Sequence, residues 1–93
     1  MNEQPNQPAA NQQNEKQQAH FERAKKGILK FLNEKGVALP LAEMHEYSLN
    51  KYLIQHQGFS RMMETLVEEK LVEYDFEKDR ATLTAAGRTF AAN

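Results

Sequence analysis

Residues 58–83 read GFSRMMETLVEEKLVEYDFEKDRATL, and the period of their apolar positions changes part-way along. Phe59, Met62, Met63, Leu66 and Val67 recur at the three-and-four spacing of one buried helical stripe, with the stem of Lys70 at its end. Arg61, Glu64, Thr65 and Glu68 fall outside that stripe. Ser60 is placed to cap this helix, because its hydroxyl can accept from an orphan amide of the first turn. After Lys70 the repeat becomes two residues: Val72, Tyr74 and Phe76 alternate with Glu73 and Asp75, the pattern of a half-buried strand. Glu77-Lys78-Asp79-Arg80 is a polar turn, and Ala81 and Leu83 alternate with Thr82 and Thr84 as the return strand. A helix running into a hairpin is the expectation for this stretch.

Upstream, the helical pattern starts at about Ala19. Phe21, Ala24, Ile28, Phe31 and Leu32 lie on one side, with Leu29 at its margin. Arg23, Lys26 and Lys30 lie on the other side, with Lys25 near the boundary. Gly36 is placed to end this helix as a left-handed C-cap. Val37-Ala38-Leu39 is a short β-favouring piece, and Pro40 suits the first turn of a second helix, where its missing amide costs nothing. Leu41, Met44 or His45, Ser48, Leu49, Tyr52 and Leu53 form that helix's inner stripe, with Ile54 close by. The run to His56 reads as one helix or as two divided at Ser48, a possible cap. Gln55-His56-Gln57-Gly58 is the expected turn before the next helix, Gly58 taking positive φ. Downstream, Thr84 can cap a last short helix whose Phe90 folds back on the core.

With 93 residues and no internal repeat, one small domain over residues 19–93 is expected, preceded by an Asn/Gln-rich segment over 1–18 with too little apolar surface to order itself. A core of this size gives only a few kcal/mol, which makes a homodimer a reasonable source of added stability. There is no cysteine, so disulfides and thiolate metal sites are ruled out. No apolar run approaches the roughly 20 residues of a bilayer span, and the N-terminus lacks the basic-then-apolar pattern of a secretory signal; a cytoplasmic location without membrane contact is expected. The three histidines show no metal-ligand spacing. Neither a phosphate-cradling glycine loop nor a nucleophile elbow is present, so neither enzymatic activity nor a cofactor is expected.

The formal net charge is −1. Setting aside the first 18 residues, which hold one lysine and two glutamates, leaves eleven cations and eleven anions. A nucleic-acid surface would therefore depend on segregation of charge and not on its total.

Three pieces stand in order: the helix SRMMETLVEEKLV, the hairpin EYDFEKDRATLT and the closing LTAAGR. This order resembles the small winged helix-turn-helix proteins, among them the MarR-like, PadR-like and small archaeal-type DNA binders, in which a helix ending Leu-x-x-x-x-Leu-Val is followed by a wing, then Leu-Thr-x-x-Gly and a helix. The resemblance covers about residues 20–92. It implies an α+β, mostly helical fold with a three-helix core and a C-terminal two-stranded wing, often with a one-bridge strand ahead of the second helix that pairs with the wing. It further implies duplex DNA as partner and a role in transcription regulation, with the 59–70 helix in the major groove. Gln57, Ser60, Arg61, Glu64 and Thr65 then face base edges, Lys78 and Arg80 reach phosphates or the minor groove, and Lys25, Lys26 and Lys30 add backbone contacts. Glu64, Glu68, Glu69 and Glu73 on or beside the same helix depart from the usual basic surface. They suit the alternative of a winged-helix protein-interaction module without DNA binding.

Overall fold

The computed structural model describes the backbone from Glu3 and the side chains from Lys16 to Asn93. Of the 1–18 segment expected to be structureless, the backbone from Glu3 is helical and continuous with the first helix, while the side chains of residues 1–15 lie outside the described residues. The fold is α+β and mostly helical: α1 (Glu3–Lys35), β1 (Leu39–Pro40), α2 (Leu41–Tyr52), α3 (His56–Glu68), β2 (Val72–Asp75), β3 (Arg80–Leu83) and α4 (Ala85–Ala92). The three strands form an antiparallel sheet in the order β1-β3-β2. Leu39 pairs with Ala81 and Pro40 with Arg80, while Val72 lies opposite Leu83 and Tyr74 opposite Ala81.

Apolar periodicity accounts for the core. Ala24, Ile28, Leu29 and Leu32 of α1, Met44 of α2, and Phe59, Met62, Met63 and Leu66 of α3 are buried together with Val72, Ala81 and Leu83 of the sheet. Leu29, expected at the margin, is fully buried, because α4 packs on α1 and widens its covered side beyond one stripe. Phe31 stacks on Tyr47 at 4.1 Å between ring centroids and ties α1 to α2. Gly36 ends α1 at φ +72°, as its C-cap position demands.

The junction between α2 and α3 differs from the sequence reading. Pro40 is the N-cap of α2 and not its first residue, and α2 is one continuous helix that ends at Tyr52. Ser48 is buried inside it and donates its hydroxyl to the His45 carbonyl, so it starts no new segment. Leu53 takes the left-handed conformation at φ 58° and turns its side chain out to solvent, leaving the inner stripe expected for it. That residue makes the reversal between the helices. Gly58 is consequently released into the first turn of α3 with no positive φ, and the expected turn 55–58 is helical from His56. Gln55, not Ser60, is the N-cap, and it makes no side-chain capping bond.

At the far end of α3, Lys70 at φ 62° carries the chain into β2, so its stem does not extend the buried stripe. β2 stops at Asp75, which places Phe76 in the turn, 85% exposed, and not inward on the strand. The turn is therefore 76–79, and Arg80 belongs to β3. Asp75 Oδ1 accepts from the amides of Glu77 and Lys78 at 3.0 and 3.2 Å, an Asx turn that fixes the loop. Thr84 caps α4 by accepting from the Gly87 amide at 2.9 Å, and its hydroxyl donates to the Lys70 carbonyl at 2.7 Å.

Candidate nucleic-acid interface

Burial of Phe59, Met62, Met63 and Leu66 orients α3, and the helical period then turns Gln57, Ser60, Arg61, Glu64 and Glu68 outward, where all five are exposed. Gln57, Ser60, Arg61 and Glu64 thus share one exposed face. Among the described residues the Arg61 guanidinium has neither an ion-pair nor a hydrogen-bond partner. Thr65 sits at the edge of this face. It is half-buried, and its hydroxyl donates to the Arg61 carbonyl at 3.0 Å, so it is already engaged on its own helix.

The α1 cations divide. Lys25 is only 3% exposed, and its ammonium lies 3.0 Å from Glu69 Oε1 and 3.4 Å from Glu22 Oε1. It clamps α1 to the C-terminal end of α3 and is not presented to a phosphate. Lys30 is exposed and Lys26 half-buried, one turn apart; neither lines the two grooves that flank α3.

On the hairpin, Lys78 is exposed at the turn, whereas Arg80 leans back over β1 with Nη1 donating to the Ala38 carbonyl at 3.4 Å. Asp79, left-handed at φ 54°, accepts the Tyr74 hydroxyl proton. That hydrogen bond, with burial and the charges of Asp79 and Asp75 adding to it, raises the Tyr74 pKa above its ordinary value. The hairpin tip therefore carries a Tyr–carboxylate pair in addition to its lysine.

A feature the sequence reading missed lies between α3 and the hairpin. It is an open groove of about 770 Å³ walled by Leu41, Phe59, Met63, Val67, Tyr74 and Phe76. Val67, expected within the buried stripe, is 41% exposed here. Its signal was faint: Val67 and Phe76 each sit at the last position of an apolar repeat, where a small shift of element end decides between core and surface. His45 opens onto this groove, its ring stacked on Phe59 at 4.9 Å and its Nε2 buried with no hydrogen-bond partner among the described residues. His56 adds a second imidazole 5.7 Å from it. Among the described residues no three His, Cys, Asp or Glu side chains are grouped to hold a metal ion, and no helix is long and apolar enough to cross a membrane.

Comparison with protein-family models, with curated proteins and with solved structures gives no match.

Proposed function

We propose that the chain is a winged helix-turn-helix domain that binds duplex DNA through α3 and the β2–β3 hairpin, as a transcriptional regulator or accessory factor. The observation that carries this reading is the outward face of the first half of α3, where Gln57, Ser60 and Arg61 are exposed and Arg61 has no partner among the described residues. The helix under them is fixed by four buried apolar side chains. A rigid helix with free polar side chains in its first turns is what major-groove readout requires. The element order supports the reading too, with the short β1 pairing to β3 beside the hairpin.

In this arrangement the Arg61 guanidinium forms its fork to guanine O6 and N7, and the Gln57 amide pairs with adenine N6 and N7. Glu64 is tolerated where it accepts from cytosine N4. Glu68, a further turn along, faces away from a phosphate-lined groove only if the helix enters by its N-terminal end. Lys78 contacts the backbone beside the hairpin. With Lys25 neutralised by carboxylates, the cations left are few, so the affinity is modest and its salt dependence shallow. Two or three neutralised phosphates give a log–log slope of about −2 to −3.

The test is fluorescence anisotropy of a labelled mixed-sequence duplex at a series of salt concentrations. Arg61→Ala and the double variant Lys78→Ala/Arg80→Ala should each weaken binding while the circular dichroism spectrum stays unchanged. Absence of binding at low salt, or unchanged affinity in both variants, removes the proposal.

A further inference from the structure

The groove between α3 and the hairpin serves no evident purpose inside the fold. Val67 and Phe76 are large apolar side chains left 41% and 85% exposed, although the core a few ångströms away is closed. Phe76 is also held in place: its ring meets that of Tyr74 edge-on at 4.7 Å, and Tyr74 is fixed in turn by its bond to Asp79. An exposed aromatic with a preset orientation loses little freedom when something packs on it. The volume, about 770 Å³, lies in the range of grooves that take several side chains.

Charge selects the occupant. Among the described residues Glu64 and Glu68, one turn apart on the α3 side of the groove, are its only carboxylates, and no lysine or arginine lines it. A partner presenting an apolar stripe flanked by cations satisfies both features. An amphipathic helix does so with its side chains at i, i+3, i+4 and i+7. A second copy of this chain is a poorer fit. The remaining exposed large apolar residues, Val37 and Leu53, are single loop residues and make no helical stripe. We propose that the α3–hairpin groove is a docking site for a basic amphipathic helix of another protein, held by Val67 and Phe76 and oriented by Glu64 and Glu68. Ser60 and Glu64 border both this groove and the outward face of α3, so a helix seated here excludes duplex from the same copy.

The probe is a synthetic leucine–lysine amphipathic helix of about 15 residues, long enough to hold helical structure. It is compared with a leucine–glutamate helix of the same pattern. Binding is followed by anisotropy and by amide chemical shifts of the full chain, with no DNA present, so that the outcome does not depend on the DNA reading. The lysine peptide should shift Met63, Val67, Tyr74 and Phe76 and should bind about tenfold more tightly than the glutamate peptide. Glu64→Lys/Glu68→Lys should reverse that order. Phe76→Ala, which removes a side chain outside the core, should leave the fold intact and weaken binding at least about fivefold. Equal affinity for the two peptides, shifts outside the groove, or retained binding in Phe76→Ala would overturn the proposal. So would a concentration-dependent dimer that Phe76→Ala dissolves, since a second copy would then fill the groove.

Discussion

Gly87→Ala is the most informative single change in this fold. Gly87 lies in the first turn of α4, and a Cβ there would stand 2.1 Å from the Leu71 carbonyl oxygen and 2.8 Å from Leu83 Cδ2. The first of these is backbone, so a rotamer change cannot relieve it. Restoring ordinary contact moves α4 away from the 70–71 segment by roughly 1 Å or more. The same shift stretches two bonds made there, Thr84 N–H to the Leu71 carbonyl at 3.1 Å and the Thr84 hydroxyl to the Lys70 carbonyl at 2.7 Å. Overpacking of this kind costs about 1–3 kcal/mol, and each weakened hydrogen bond adds up to about 1 kcal/mol. Against that stands the better helix propensity of alanine, about 1 kcal/mol. Taken at their mid-values these leave a net loss of about 2 kcal/mol, a fall in Tm of roughly 10 °C. Urea denaturation followed by far-ultraviolet circular dichroism measures it. A companion variant makes the reasoning sharper. At Gly58 a Cβ would meet only Ile54 Cγ2, at 3.3 Å, and the backbone is helical. Gly58→Ala should therefore stabilise by about 0.5–1 kcal/mol. If Gly87→Ala unfolds within about 0.5 kcal/mol of the parent, or if Gly58→Ala destabilises, the packing described for these helices is refuted.

Thr84→Ala should cost about 1–2 kcal/mol in the same assay, since it removes the cap of α4 and the donor to Lys70 together. Lys25→Met should leave stability within about 1 kcal/mol of the parent, because the aliphatic stem is replaced and both partner carboxylates, each 47% exposed, can return to water; a larger loss would mean that the ion pairs matter more than their exposure allows. The phenol of Tyr74 should ionise above its ordinary value of 10.0, read from the ultraviolet absorbance of the phenolate. Its folded pKa is raised, so the associated stabilisation is present below the unfolded value and is lost as the pH rises through the folded one. Asp79→Gly keeps the left-handed backbone and removes the carboxylate, and should bring the Tyr74 titration back toward that ordinary value.

The parts of the fold that local chemistry decides were legible beforehand. Phe59, Met62, Met63 and Leu66 could be placed from spacing alone, as could the inward Ala81 and Leu83. Gly36 and Thr84 could be placed as caps from residue type. What escaped depends on tertiary choice. The left-handed residue between α2 and α3 is Leu53, not Gly58, although a non-glycine residue there costs about 1–2 kcal/mol. Burying Ile54 directly after it and Phe59 one turn into α3 outweighs that cost. Lys25 read as a boundary cation because its partner Glu69 lies 44 positions away. The exposed α3 face followed from the helical phase, so Gln57, Ser60, Arg61 and Glu64 were recoverable. The groove beside it was not, since it exists only where the end of β2 and the flank of α3 meet.

The packing of α4 on α1 sets an order of assembly. Between the end of α1 at Lys35 and the start of α4 at Ala85 lie forty-nine residues, and closing so long a segment is entropically slower than the contacts within α2, α3 and the hairpin. α4 has eight residues, too few to persist unsupported. It is therefore expected to dock last and to open first, as a latch over a nucleus already formed. Amide hydrogens of residues 85–92 should then exchange ahead of those in α3, the latch lifting without disturbing the face of α3 that points to solvent.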